Sequence, residues 1–586
     1  MLIARAAYEK EPFVEVSADA GICALGWDDI AARLAAKLRS RIGSVRSVVC
    51  VECYPGVLLR DVTEALVSRL RPRLLVQSET AFRPPTEIGR MLEPWLTRDP
   101  VFGRMNGIEI ADFFDSDAVA RERARLAECR EGLVLVIGTG AAELAQHCDL
   151  LVYADLARWE IQRRQRIGDI GNLAAGNPND TAAVKYKRAF FVDWRAADRT
   201  KRRLLDRIDF LLDTNSPAAP KMITGDDFRR GLSIAVQRPF SVVPFFDPGP
   251  WGGSWMKEAF SLPADVPNYA WGFNCVPEEN SLLLGFGNRR VEIPALDVVL
   301  AYPRELLGEQ VYRRFGAEFP IRFDFLDTMG GGNLSLQVHP LAEYIREHFG
   351  MSYTQDESYY MLAAGDGAAV FLGLRDDADP AAMQRDLRRA AAGDAAFPAE
   401  AYVNRWPARK HDHFLIPAGT VHCSGAGSVV LEISATPYIF TFKLWDWNRM
   451  GLDGQPRPTH LEHGIANIQW GRTTRWVQRE LINRVEPVTC GDGWREERTG
   501  LHELEFIETR RHWFRSRVEH HTRDTVNVLC LVEGREAVVE SPHHAFDPFL
   551  VRYAETFIVP AAVGKYSISP TGECECATIK AYVRSE

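Results

Sequence analysis

The sequence has no surplus of positive charge, no dense cysteine framework and no long apolar run, and each absence removes a class of function. Its 70 Lys and Arg are outnumbered by 79 Asp and Glu, a formal charge of 70 − 79 = −9. Binding to nucleic acid is therefore not expected as the main task, because that affinity is carried by basic excess, although a local basic patch is compatible with this total. Eleven cysteines, an odd number scattered over 586 residues, fit a reducing cytoplasm better than a secreted disulfide scaffold. The opening stretch MLIARAAYEKEPFVEV reaches charged residues too soon for a secretory signal peptide. No apolar run approaches the roughly 20 residues of a membrane span. The expectation is a cytoplasmic protein with no membrane partner.

What is present is ordinary globular composition, 46% hydrophobic and 25% charged, in a chain long enough for about three or four domains. Two regions read differently. Up to residue 213, short apolar runs such as SVVCVEC (47–53) and GLVLVIG (132–138) alternate with amphipathic stretches such as WDDIAARLAAKLRSRI and DRTKRRLLDRIDFLLD. Continuous apolar runs suit strands buried on both faces, and alternation with helices predicts an α/β domain with a parallel sheet. Residues 214–238, polar and broken by prolines, read as a linker. From 239 onward, short strand-like runs are separated by Gly, Pro and Asp turns, with one Ala-rich helical insertion at 380–395. That predicts a mainly β region of sandwich or barrel type.

An internal echo divides this β region. DHFLIPAGTVHCSGAG (412–427) is answered by ETFIVPAAVGKYSISPTG (555–572), and DESYYMLAAGDGAAVFLGL (356–374) by DTVNVLCLVEGREAVVES (524–541). Two copies of one β unit are expected, over 239–475 and 476–586. Position by position, Glu357 of the first copy faces Thr525 of the second, and His422 faces Lys565 or Tyr566.

The chemistry concentrates in the first copy. In NLSLQVHP (333–340), alternation puts Ser335, Gln337 and His339 on one face of a strand and Leu334, Leu336 and Val338 on the other. Gln337 and His339, with Glu357 and His422 downstream, make two imidazoles, one carboxylate and one amide oxygen. Such an N/O set suits Zn²⁺ or a similar divalent ion, with positions left for substrate or water. The competing reading is four unconnected polar residues at strand ends.

LSLQVHP (334–340), IPAGTVH (416–422) and FKLWDWNRMGLDGQPRPTHLE (442–462) resemble the motifs of type I phosphomannose isomerases, zinc enzymes of the cupin fold. The resemblance extends over about residues 240–586. It implies a bicupin of two jelly-roll units, one zinc ion per chain held by Gln337, His339, Glu357 and His422, and a phosphorylated sugar as substrate. The implied reaction interconverts mannose 6-phosphate and fructose 6-phosphate through an enediol. Lys443 falls where the family has a catalytic arginine, and Gln355 stands where many members have a lysine near the substrate. Ser335, Gln355, Arg449 and Arg457 are the implied substrate contacts, the two arginines being equally readable as surface residues. Two alternatives stay open: a metal-binding cupin that binds or senses sugar without turnover, and a bifunctional kinase–isomerase.

The amino-terminal region, 1–213, resembles P-loop nucleoside kinases more loosely. A strand, a Gly-containing turn and a helix occur in VVCVECYPGVLLRDVTEAL (48–66), but no G-x-x-x-x-G-K-[ST] is present. VIGTGAAEL (136–144) does not complete a dinucleotide fingerprint. Arg163, Arg164 and Arg166 are either a phosphate grip on a lid or, the reading preferred here, a solvated helix face. The expectation is a degenerate domain without phosphoryl transfer, with a nucleotide or other phosphate as its possible ligand.

Overall fold

The computed structural model describes residues 8–40, 45–451, 454, 457–500 and 502–584. The chain divides into two compact units, one made of Phe13–Ala235 and Glu278–Ala301 and the other of the remaining chain. All eleven cysteines are free thiols. Cys50 and Cys53 have C-x-x-C spacing, but on an extended strand residues three apart face opposite sides. No helix among the described residues is long and apolar enough to cross a membrane.

The first unit has the expected parallel sheet. Five parallel strands lie in the order Leu74–Gln77, Gly132–Gly138, Arg46–Cys53, Leu150–Asp155, Phe210–Asp213. The central strand is buried from Val48 to Cys53, with parallel neighbours on both sides, which is why its apolar run is continuous rather than alternating.

Three expectations for this region need correction. DFLLD, read as the end of a helix, forms the strand Phe210–Asp213, because all four residues are buried in the sheet while the helix stops at Leu204. Residues 214–238 are not a linker. Lys221–Thr224 adds an antiparallel strand, and the helix Gly225–Ala235 buries Phe228, Leu232 and Ala235. The prolines that suggested a linker are confined to the turn before that strand. Finally, the chain returns to this unit after residue 239: Ser281–Phe286 pairs in parallel with Phe13–Ser17 and antiparallel with Arg289–Pro294.

No phosphate cradle follows the central strand. Gly56 has φ +118°, and a Cβ there would come within 2.9 Å of the Ile161 side chain. Arg164, 1% exposed, donates to the Gly56 carbonyl at 2.9 Å and to Glu160 at 2.7 Å. It is a structural tie rather than part of a solvated face, whereas Arg163 and Arg166 are exposed. In the glycine-containing loop after Gly132–Gly138, the Gly140 and Ala142 amides donate to the Glu52 carboxylate at 2.6 and 2.8 Å. The donors that would receive an anion are already taken by the chain itself. Burial raises the Glu52 carboxyl to about 7 against the pull of those two amides.

The second unit contains the repeat. In the first copy the strands are β1 (Ile321–Asp327), β2 (Leu336–Val338), β3 (Glu357–Ala364), β4 (Ala369–Leu374), β5 (Val403–Pro407), β6 (His413–Ile416), β7 (His422–Ser424) and β8 (Ser428–Ala435). In the second they are β9 (Ile507–Phe514), β10 (Val518–His521), β11 (Asn527–Glu533), β12 (Glu536–Glu540), β13 (Phe549–Arg552), β14 (Thr556–Val559), β15 (Lys565–Pro570) and β16 (Cys576–Val583). One sheet of the first copy contains the antiparallel pairs β1·β8, β8·β3 and β3·β6, and the facing sheet β2·β7, β7·β4 and β4·β5. Adding eight to each label reproduces the pairs of the second copy. Side chains of the two sheets meet between them, as with Phe514, Leu529, Val539, Phe557 and Ile568 in the second copy. Each such buried side chain stabilises by about 1.5–3 kcal/mol.

The helical insertion is present as Pro380–Ala391, capped by the Asp379 carboxylate on two first-turn amides. The β region is less purely β than its turns suggested. Pro303–Leu307, Glu309–Phe315, Ala342–Phe349, Leu461–Asn467 and Thr474–Glu480 are helices. They are short, so the helical period spans too few turns to stand out from the strand pattern.

Register corrects the position-by-position comparison. Glu357 pairs with Ile416 and Asn527 with Val559, each partner standing just before Pro-Ala. The counterpart of Glu357 is therefore Asn527, not Thr525. Tyr566 is buried and its hydroxyl bonds Asn527 as His422 meets Glu357, whereas Lys565 is exposed, which selects Tyr566 over Lys565 as the counterpart of His422.

Candidate metal centre

Four of the sequence-predicted residues meet between the two sheets of the first copy. Gln337 lies on β2, with β7 on one side and the strand Phe442–Trp445 on the other. His339 follows one residue beyond β2, Glu357 opens β3 and His422 opens β7. His339, Glu357 and His422 are each at most 2% exposed, and each offers a ligand atom within 4.8 Å of the others. The Glu357 carboxylate lies between the imidazoles, 3.2 Å from His339 Nε2 and 2.7 Å from His422 Nε2. The amide of Gln337 is 3.2 Å from His422 Nε2, and a half-turn about its last bond exchanges nitrogen for oxygen at that point.

The tautomers follow from the outer contacts. His422 Nδ1–H donates to the Thr420 carbonyl at 2.8 Å, and His339 Nδ1 faces the Phe440 carbonyl at 3.4 Å. With its proton on Nδ1, His422 turns the Nε2 lone pair toward Glu357. His339 Nε2 and Glu357 Oε1 are buried and have no hydrogen-bond partner. Lone pairs facing lone pairs in a dry interior repel, and such orphans require an explanation. A cation among them satisfies all of them. Burial pushes the Glu357 carboxyl up, and only positive charge at the His339 and His422 positions reverses this and holds it well below the usual range.

The surroundings hold these ligands in place. Gln355, 2% exposed, donates to Glu357 Oε2 at 3.1 Å and to Glu432 at 3.3 Å. It stands behind the carboxylate. Behind it again, Arg322 joins Asp324 at 3.3 Å and Glu432 at 3.2 Å. The loop before His422 turns at Gly419, φ +87°, where a Cβ would come within 2.7 Å of the Gln469 side chain. Arg472 ties that loop through the Pro417 and Ala418 carbonyls at 2.7 and 2.8 Å, and Asp356 accepts from the Ala418 amide at 2.8 Å.

The remaining predicted residues gather around Asp446. Ser335 donates to Asp446 at 2.7 Å, Arg449 at 2.7 Å, and Arg457 at 3.1 Å, with Arg457 also 3.2 Å from Ser335. Lys443 pairs with Gln337 across the strands, so the two side chains share a face. Burial, then the nearby Arg457, lowers the Lys443 ammonium to about 8. Residues 452, 453, 455 and 456 of the FKLWDWNRMGLDGQPRPTHLE stretch lie outside the described residues. Sequence reasoning missed Asp446, Glu432, Asp356 and Arg472. Asp446 was within a quoted motif, but nothing local marks it as the acceptor of three side chains. The other three act only through contacts far along the chain.

A family model described as "Domain of unknown function (DUF8485)" matches residues 26–237. The chain is 28% identical over 234 residues to "Mannose-6-phosphate isomerase" of Streptococcus mutans serotype c, covering 39% of this chain and 68% of that protein. It is 26% identical over 232 residues to "Probable mannose-6-phosphate isomerase GmuF" of Bacillus subtilis, covering 39% and 68%. The solved mannose 6-phosphate isomerase of Bacillus subtilis superposes with a TM-score of 0.49 at 17% identity, covering 59% of this chain and all of that one. Several curated mannose-6-phosphate isomerases thus match a region of this chain.

Proposed function

We propose that the first β copy is a metal-dependent aldose–ketose isomerase centre of the cupin type. Its reading assigns zinc or a similar divalent ion to Gln337, His339, Glu357 and His422, and takes mannose 6-phosphate and fructose 6-phosphate as the substrate pair. The observation that carries it is the buried convergence of ligand atoms from His339, Glu357 and His422, with His339 Nε2 and Glu357 Oε1 lacking a hydrogen-bond partner. The names of the curated relatives suggest the substrates.

The reaction breaks the C2–H bond of the aldose and forms a C1=C2 enediol. The proton returns at C1, while an oxygen proton passes between O1 and O2, so no oxidant or reductant is needed. A bound divalent ion supplies Lewis acidity toward those oxygens. Lys443, on the face of Gln337, supplies a positive charge for the enediolate. It does so without the planar fork of the arginine it replaces. Arg457 and Arg449, oriented by Asp446, are assigned to the phosphate. Gln355 orients the Glu357 carboxylate, the role of an outer-shell partner.

The test is to incubate the full chain, zinc-loaded and chelator-stripped, with mannose 6-phosphate and follow fructose 6-phosphate by NMR. Turnover by the loaded protein, lost on stripping and restored by metal, is expected. A zinc-loaded protein that binds the sugar without converting it would favour the second reading, a sugar-binding cupin without turnover. That reading is motivated by Gln355, an amide that does not exchange protons near neutral pH. A bifunctional kinase–isomerase is disfavoured because Glu52 already fills the loop amides and no lysine follows Gly56.

A further inference from the structure

The second β copy has an open cavity of about 670 Å³ on the corresponding strands, within the size range of small-molecule sites. Register makes its lining comparable with the metal centre. Asp324 pairs with Glu432, and Arg510 with Lys580. Tyr359 pairs with Glu432, and Leu529 with Lys580. Asp324 thus corresponds to Arg510, Glu432 to Lys580, and Glu357 to Asn527. Three acidic positions have become two basic ones and a neutral one. Five Lys or Arg and three Glu line the cavity, in a chain whose net charge is −9.

Lys580 is the centre of this inversion. It is only 8% exposed, and among the described residues its ammonium makes no hydrogen bond and no ion pair. Arg510, by contrast, is already paired with Glu508 and lies 3.6 Å from Glu496. The Lys580 Nζ lies 5.6 Å from the Tyr582 ring centroid and has no directly bonded counter-ion among the described residues, and an anion entering the cavity supplies that missing partner. The polar wall is also incompletely used. His520 Nε2 and His512 Nδ1 are buried without partners. The His520 ring stacks on Tyr566, centroids 5.0 Å apart, and the Tyr566 hydroxyl donates to Asn527 at 2.9 Å.

We infer that the second copy is a binding site for a small hydroxylated anion, its phosphate or carboxylate held by Lys580 beside Arg510 and its hydroxyls by His512, His520 and Asn527. The site is the charge-inverted counterpart of the metal centre. It does not depend on the isomerase reading, because nothing in it uses the first copy's ligands.

Calorimetric titration of the full chain with glucose 6-phosphate, glucuronate and uncharged glucose tests this, using wild type, Lys580→Met, Lys580→Arg and Arg457→Met. Glucose 6-phosphate or glucuronate should occupy a site that Lys580→Met weakens at least tenfold, that Lys580→Arg retains and that Arg457→Met leaves intact. Which of the two binds distinguishes a phosphate from a carboxylate head, and glucose should not compete. Lys580→Met removes an unpaired buried charge, so its melting temperature should be no lower than wild type. If Lys580→Met titrates like wild type, if all binding disappears with Arg457→Met, or if neither anion binds, the inference is overturned. If Lys580→Met does not fold, Arg510→Met at the same cavity carries the test, with unchanged anion affinity overturning the inference.

Discussion

The two β copies share eight strands and six antiparallel pairings, yet at matching positions one presents Glu357, His422 and Glu432 and the other Asn527, Tyr566 and Lys580. In the first, a carboxylate stands between two imidazoles, 3.2 and 2.7 Å from their Nε2 atoms. In the second, the same place holds a hydroxyl-to-amide bond and a stacked imidazole. The pairing scheme is maintained by apolar residues between the sheets, so the residues at the sheet mouth are free to differ. A register position is therefore informative about place and says nothing by itself about charge.

His422→Ala is the most severe way to break the comparison. It removes a buried ligand, so bound metal, measured by plasma mass spectrometry, should fall to background together with isomerase turnover. The circular dichroism spectrum should persist, since the second copy forms the same pairings without a histidine there. Full metal occupancy in this variant would sink the ligand assignment.

Lys443→Met should come next. Loss of one preorganised charge at a developing oxyanion lowers turnover by roughly 10²–10³. KM should move little because the charge develops mainly in the transition state. Lys443→Arg should retain activity, and near-normal turnover in Lys443→Met would pass the role to Arg449.

Gln355→Leu leaves all four ligands in place and removes only the amide behind Glu357. Outer partners of this kind are worth about 10–100-fold in metal affinity. A competition titration with a chromophoric chelator reads that loss, and an unchanged affinity would return Gln355 to a substrate role.

The second copy predicts a smaller, pH-dependent effect. Burial lowers the Lys580 ammonium to about 8, with Arg510 and Arg523 lowering it further and Glu496 and Glu508 opposing. The charged form is present below that value and is lost as pH rises through it. Anion affinity should accordingly be flat below pH 7 and decline above 8 by at most about tenfold per pH unit. The bound anion itself should push the midpoint upward. A constant affinity from pH 6 to 9 would remove Lys580 from the site.

Tyr566→Phe is the mildest change. It leaves the buried Asn527 amide oxygen without its donor, at a cost of about 1–2 kcal/mol. The denaturation midpoint should drop while bound metal is unaffected. Metal loss in this variant would mean that the two copies are not independent.

Much of this could be read from the chain. The continuous apolar runs around Val48–Cys53 and Val134–Gly138 predicted buried parallel strands. The strand face of Ser335, Gln337 and His339 followed from alternation, and IPAGTVH against VPAAVGKY revealed the repeat. The errors arose where a local pattern was outvoted by a distant partner. Residues 281–294 read as part of the β region but pair with Phe13–Ser17. The Phe210–Asp213 run read as a helix end until the strand Leu150–Asp155 claimed it as a neighbour. The Thr525 assignment came from counting along a loop, and cross-strand pairing moved it by two residues, to Asn527.

The sequence by itself determined the α/β and β character of the two regions, the repeat and the identity of the four candidate ligands, because periodicity and residue chemistry are local properties. Only the tertiary structure decided that Glu357 stands between His339 and His422, that Gln355 lies behind it, and that Asp446 gathers Ser335, Arg449 and Arg457. It alone brought Arg510 and Lys580 to the places where the first copy has Asp324 and Glu432. These are relations between residues up to about a hundred positions apart. Only cross-strand register brings such residues within hydrogen-bonding distance, and charge in a buried site is set by which groups meet there rather than by their order in the chain.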